Sequence, residues 1–366
     1  MNKSAERRHN ALIMELCKIN SYDRDKLEEL LSGCPDKAYV LGQLMYHRMG
    51  AVAWYVLKES GLAGKVNREF RNSLRMVYDS SCKRSAGFRR MLTETAGILA
   101  GAPFPYAVLK GARLAYEYPA GLRTSNDLDI LVRQEDIGAL SDRLKGAGYI
   151  QGFIRDDTLV PATRSEVLSS RLNRGETVPF VKQVDWEQMK FCEIDINFSL
   201  DFKAKQSSKP VELLLADIEP MEVDEGRTLM TLSAADFIIQ LCAHLYKEAA
   251  VYQWVEMGRD LSIYKFCDIY LLLMKGMTDT LGQKLAQRIV SCGVEKECYY
   301  ALSTTAHLFD IDSPALNRLL HVIRPADTAY IKEIIDPSRK KAYRYDMNFT
   351  DWVFCGDRSN NLQEVI

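Results

Sequence analysis

Asn126-Asp127-Leu128-Asp129-Ile130-Leu131-Val132 is the stretch on which the fold turns. Its Leu, Ile and Val content predicts a buried strand. Alternation along that strand sends Asp127, Asp129 and Leu131 to one face and Leu128, Ile130 and Val132 to the other. Two carboxylates then project together, with Cα atoms roughly 7 Å apart, close enough to converge on one or two divalent cations. Like charges held this near repel, which is tolerable when a cation lies between them.

Upstream, the apolar run Phe104-Pro105-Tyr106-Ala107-Val108-Leu109 predicts a short strand that stops at Lys110-Gly111. Ala112 to Tyr118 predicts a helix ended by Pro119-Ala120-Gly121. Downstream, Glu135 to Gly148 is an amphipathic helix with apolar Ile137, Leu140 and Leu144. After a less regular stretch, Arg155 to Pro179, two more strands are expected at Val181 to Trp186 and Phe191 to Leu200. The second alternates strongly, placing Glu193, Asp195, Asn197 and Ser199 on one face. Asp195 is the first choice for a third carboxylate, with Glu193 one step along the same face as the fallback.

Strand, helix, strand, helix, strand, strand implies a small mixed β-sheet with helices on one side, spanning 101–230. Lys110-Gly111 lies where a strand meets a helix, a place where free backbone N–H groups favour phosphate. Glycine lets a phosphate approach the main chain, Lys110 adds a point charge, and Arg123 offers a further clamp on a phosphate oxygen. Taken singly, Asp-x-Asp is ordinarily surface charge or a turn cap, and Lys-Gly an ordinary tight turn. Only the ordered combination is informative.

The core is expected to be flanked by helices, making the fold class α+β. Residues 1–100 carry apolar positions three and four apart, as in Leu12, Leu16 and Ile19. The helical period returns over 231–330, opened by Ser233-Ala234-Ala235-Asp236 in the form of a capping box. There His244 falls beside the apolar stripe of Phe237, Leu241 and Leu245, a position more usual for a satisfied core histidine than for a ligand contact. Asp268 among apolar residues needs a partner. Residues 331–366 form a C-terminal extension whose last ten residues are expected to fray.

The 366 residues are 47% hydrophobic and 27% charged with 21 Gly and 11 Pro, which excludes a largely disordered or fibrous chain. The net charge of -1 selects no partner class. An excess of roughly six positive charges before residue 95 reads as solvated helix surface, so nucleic acid is not the favoured partner. Nine cysteines without a Cys-x-x-Cys pair, scattered among five histidines, argue against zinc and for reduced thiols. The start, Met-Asn-Lys-Ser-Ala-Glu-Arg-Arg, lacks the apolar stretch of a signal peptide, and no later window approaches the length of a membrane span, so a cytoplasmic protein with no membrane partner is expected.

Leu109-Lys110-Gly111, Leu122-Arg123 and Asp127-Leu128-Asp129-Ile130-Leu131-Val132, followed at a distance by an acidic strand, together resemble a bacterial nucleotidyltransferase family of the DNA polymerase β-type superfamily. The specific part of the likeness covers Val108 to Tyr149, and the helical regions on either side are also similar. The resemblance implies Mg²⁺-dependent transfer of a nucleoside monophosphate from an NTP to an acceptor, with release of pyrophosphate. It implies Asp127, Asp129 and Asp195 as catalytic ligands of two Mg²⁺ ions. It also implies nucleotide contacts from Lys110, Gly111 and Arg123, and from His244 and Lys247 in the helical partner domain. The acceptor, a small molecule or a protein, is not legible in the sequence.

Two positions depart from the pattern. The third acidic strand of the family reads Asp-hydrophobic-His, and here it is Asp195-Ile196-Asn197. The turn glycine is usually followed by Ser or Gly, and here by Ala112, which has no hydroxyl to offer a phosphate. The alternatives are a catalytically inactive nucleotide-binding or partner-binding regulator of the same fold, and a helical scaffold whose α/β core is a spacer.

Overall fold

Residues 3–34, 36–173, 175–200 and 209–365 are described by this computed structural model. In chain order the N-terminal helices are α1 (Lys3–Leu16), α2 (Arg24–Ser32), α3 (Lys37–Tyr46), α4 (Gly50–Glu59) and the 32-residue α5 (Arg68–Leu99). Then come β1 (Tyr106–Val108), α6 (Gly111–Glu117), β2 (Asp127–Val132), α7 (Ile137–Gly146), β3 (Ile150–Arg155), β4 (Thr158–Pro161) and α8 (Arg164–Asn173). The α/β segment ends with β5 (Phe180–Trp186), β6 (Met189–Asn197), α9 (Lys209–Leu215), β7 (Ile218–Asp224) and β8 (Arg227–Leu232). Helices α10 (Ala234–Ala249), α11 (Tyr252–Glu256), α12 (Ile263–Gly276), α13 (Asp279–Cys292), α14 (Glu295–Phe309) and α15 (Pro314–Val322) follow. The chain closes with β9 (Glu333–Asp336), β10 (Lys341–Arg344), α16 (Phe349–Phe354) and β11 (Gln363–Glu364).

Two units divide the chain. One comprises Ser80–Gln240 with Gln287–Gly293, and the other Met1–Asp79, Leu241–Ala286 and Val294–Ile366. The N-terminal and C-terminal helical segments thus fall in the same unit. In the α/β unit the eight strands run in the order β4-β3-β5-β6-β2-β1-β8-β7. The sheet is mixed, because β2 is parallel to β6 and antiparallel to β1, while β1 is parallel to β8. It is larger than the small sheet expected. The four extra strands are two hairpins, β3–β4 and β7–β8, which form its edges.

Alternation explains the central strands. Leu128, Ile130 and Val132 of β2 and Cys192, Ile194 and Ile196 of β6 share one cluster with Phe88, Met91 and Leu92 of α5 and Ile137, Leu140 and Leu144 of α7. Burial of this apolar surface is the main stabilising term for the sheet. The opposite face of β2 and β6 carries the acidic side chains.

The helical unit buries Leu12, Leu16, Ile19, Phe266, Ile269 and Phe309, among many others. Its C-terminal segment forms a three-stranded sheet in the order β11-β10-β9. The expected fraying of the last ten residues is therefore corrected: β11 pairs antiparallel with β10, and Val365 N–H donates to Ala342 O at 2.9 Å.

The capping box before α10 also needs correction. Ser233 Oγ is buried with no hydrogen-bond partner, and Asp236 is fully buried against Arg288 of α13. Arg288 Nε and Nη2 donate to the two oxygens of Asp236 at 2.8 and 2.5 Å. A partner 52 positions away outcompetes the local cap because the pair is bidentate and charge-assisted.

Candidate active site

Adjacent parallel strands place register partners side by side with their side chains on the same face. Here Asp129 lies beside Asp195 and Asp127 beside Glu193, and Asn197 follows one step further along. The three carboxylates expected from the sequence are therefore brought together by one pair of strands, and Glu193 joins them. Asn197 closes the row, its Nδ2 donating to Asp129 Oδ1 at 3.0 Å.

Burial and mutual repulsion dominate the electrostatics. Burial pushes the Asp195 carboxyl well above the usual carboxylate range, and Asp129, Asp127, Glu193 and Glu176 push it further the same way. Burial raises Asp129 too, opposed by the Lys110 ammonium and assisted by Asp127. Glu193 is raised by burial and by the charges of Asp127 and Asp129. Ionising these groups together requires positive charge close by.

One such charge is Lys110. Its Nζ lies 3.2 Å from both Oδ1 and Oδ2 of Asp129, which is only 7% exposed. Lys110 also sits at φ 35 and ψ -108, outside the comfortable regions for a residue with a Cβ, as the chain turns from β1 into α6. No described residue donates a hydrogen bond or an ion pair to the Asp195 carboxylate.

Gly111 is required by close approach. A Cβ there would meet Ser125 Cβ at 2.6 Å and Oγ at 2.8 Å. Ser125 in turn donates from Oγ to Asp127 Oδ1 at 2.8 Å, fixing the rotamer of the first carboxylate. Arg123 Nη1 donates to the carbonyl of Thr124. Sequence reasoning missed Ser125 and Glu176, both in segments without periodicity. The one available signal was the serine two residues before Asp127.

Lys110, Gly111, Arg123, Asp127, Asp129 and Asp195 all belong to the α/β unit, whereas His244 and Lys247 belong to the helical unit. His244 Nε2 lies 3.3 Å from Glu248 Oε2, an oxygen that the buried Lys265 Nζ approaches to 2.5 Å. Lys265 also donates to the carbonyls of Arg259 and Asp260.

The fold is α+β, with helices flanking a mixed sheet whose two parallel strands β2 and β6 carry acidic side chains on one face. The chain belongs to a nucleotidyltransferase family: residues 35–310, three quarters of its length, match the family described as an uncharacterised nucleotidyltransferase. Among solved structures, an antigenic nucleotidyltransferase-like protein from Paracoccidioides brasiliensis is similar, with 13% identity, coverage of 64% of this chain and 92% of that one, and a TM-score of 0.39. No curated protein matches the chain. Among the described residues, no helix is long and apolar enough to cross a membrane.

Proposed function

We propose that this protein is an Mg²⁺-dependent nucleotidyltransferase that moves a nucleoside monophosphate from an NTP to an acceptor hydroxyl, releasing pyrophosphate. The observation that carries this reading is the β2/β6 register, which sets Asp129 against Asp195 and Asp127 against Glu193 on one face.

The donor set suits the ion. Short carboxylates on rigid strands are hard oxygen ligands of the kind Mg²⁺ takes, and among the described residues Asp195 has acidic neighbours and no cationic partner of its own. Among the described residues, no three acidic, His or Cys side chains are already drawn to ligand spacing. Asp129 is instead held by Lys110 and Asn197. Asp127, Asp129 and Asp195 would hold the metal, in two sites on the superfamily scheme. Bound Mg²⁺ would neutralise triphosphate charge and lower the barrier to attack at the α-phosphorus.

The chain's own groups would then act as follows. Ser125 and Asn197 hold Asp127 and Asp129 in orientation. Lys110, Gly111 and Arg123 meet the triphosphate. Asp195 would accept the proton of the acceptor hydroxyl. The acceptor is a small molecule or a protein. Nine free cysteines suit a reducing compartment, and we place the protein in the cytoplasm.

A second reading is supported by the Lys110 and Asn197 contacts, which satisfy Asp129 without a metal, and by Ala112. On that reading the chain is a catalytically inactive nucleotide-binding or partner-binding regulator. Mass spectrometry after incubation with the four NTPs, Mg²⁺ and a cell extract separates the two. Transfer gives an acceptor heavier by one nucleoside monophosphate, in the wild type and not in Asp127→Asn. The regulatory reading gives retained nucleotide and no modified acceptor.

A further inference from the structure

Lys110 satisfies Asp129 in the way a bound cation would: one positive charge, equidistant at 3.2 Å from both oxygens of a residue only 7% exposed. We infer that the Lys110 ammonium is the resident counter-ion of Asp129 and that metal and lysine compete for that carboxylate. This inference rests on the proposed metal site.

Three features bear on it. First, an ammonium on both oxygens of Asp129 covers the lone pairs a cation would take, so metal entry requires lysine release. Second, Lys110 is held at φ 35 and ψ -108 in the turn from β1 into α6, a strained conformation that fixes where its side chain starts, beside Asp129. Third, a metal polyphosphate brings an anion that accepts the freed ammonium, so metal and polyphosphate together favour lysine release more than metal alone does. Asn197 stays on Asp129 Oδ1 throughout, keeping the carboxylate oriented while its cation changes.

The test uses Mn²⁺ as the metal probe and inorganic tripolyphosphate as a base-independent anion, with binding read by electron paramagnetic resonance of free Mn²⁺. Wild-type protein should bind Mn²⁺ alone weakly and the Mn²⁺–tripolyphosphate complex strongly. Lys110→Gln should shift the two in opposite directions: Mn²⁺ alone at least about tenfold tighter, the complex weaker. Lys110→Gly, which adopts this backbone conformation without strain, repeats the comparison should the glutamine variant fold poorly, and circular dichroism reports on both. A merely structural lysine would move both affinities the same way. Equal Mn²⁺ affinity in wild type and both Lys110 variants, abolished by Asp129→Asn, would overturn the exchange while sparing the metal site. Absence of Mn²⁺ binding in every protein, with or without tripolyphosphate, would overturn the metal site and the exchange together.

Discussion

Asn197 stands where the resemblance implies a histidine, and the substitution changes how Asp129 is held. An amide donates to Asp129 Oδ1 at any pH, whereas an imidazole would change its donors on titration. On the same strand, Asp195 and Glu193 compete for the role of third ligand. Register favours Asp195, which lies beside Asp129, while Glu193 lies one pair back beside Asp127. On the proposed scheme, loss of Asp195 would leave Asp127 and Asp129 to bind the metal nucleotide, so Asp195→Ala should keep Mg-NTP affinity and lose the chemical step by about a hundredfold or more. Glu193→Ala should retain most of the rate. Single-turnover kinetics on the two variants side by side decide the matter; a normal rate for Asp195→Ala with an inert Glu193→Ala would assign the role to the glutamate.

At the scale of elements, the Asp236–Arg288 pair joins α10 to α13 within the α/β unit, with Arg288 Nη2 also donating to Leu213 O at 2.8 Å. Asp236 is fully buried, so removing the arginine strands a charge away from water. Arg288→Met should cost about 3–5 kcal/mol, and adding Asp236→Leu should recover most of it, as measured by urea midpoints. A single variant as stable as wild type would show that water or another cation reaches Asp236.

The same pair shows where the sequence stops being legible. Ser233-Ala234-Ala235-Asp236 has the local form of a cap, and only the folded chain brings Arg288 to it. Central strands were readable, since β2 and β6 bury one face completely and burial enforces alternation. The edge strands were not. Gly152 interrupts β3, which lies between the edge strand β4 and β5, and Pro220 sits within the edge strand β7, in segments only partly buried, so neither hairpin carries a clear alternating pattern. Asp127, Asp129 and Asp195 were found because they interrupt apolar strands at period two. Ser125 and Glu176 lie outside the strands, where no period marks them.

For the whole molecule, acid stability depends on a histidine far from the carboxylates in sequence. His47 is fully buried in the helical unit, its Nδ1 accepting from Ile263 N–H at 3.3 Å, and burial, assisted by the Arg358 charge, lowers its pKa to about 3. The unfolded chain takes up this proton near pH 6.5, the folded chain only near 3. His47 therefore contributes stability that is complete above pH 6.5 and is lost as the pH falls from there towards 3. Between pH 7 and 5, the stability of the wild type should fall with an extra slope of one proton that His47→Gln lacks. Parallel curves for the two proteins, from urea titrations at each pH, would show that His47 titrates normally.

The central claim is metal-dependent transfer by the Asp127 and Asp129 pair, in a chain whose nucleotidyltransferase family is known and whose acceptor is not. Its most direct test is transfer of label from α-³²P-NTPs to macromolecular and small-molecule fractions of a cell extract, with Mg²⁺ or with chelator, by wild type, Asp127→Asn and Asp129→Asn. Labelled product should form only with wild type and Mg²⁺, while both variants keep wild-type circular dichroism, because each removes one of two crowded negative charges. Full Mg²⁺-dependent labelling by both variants would contradict the assignment.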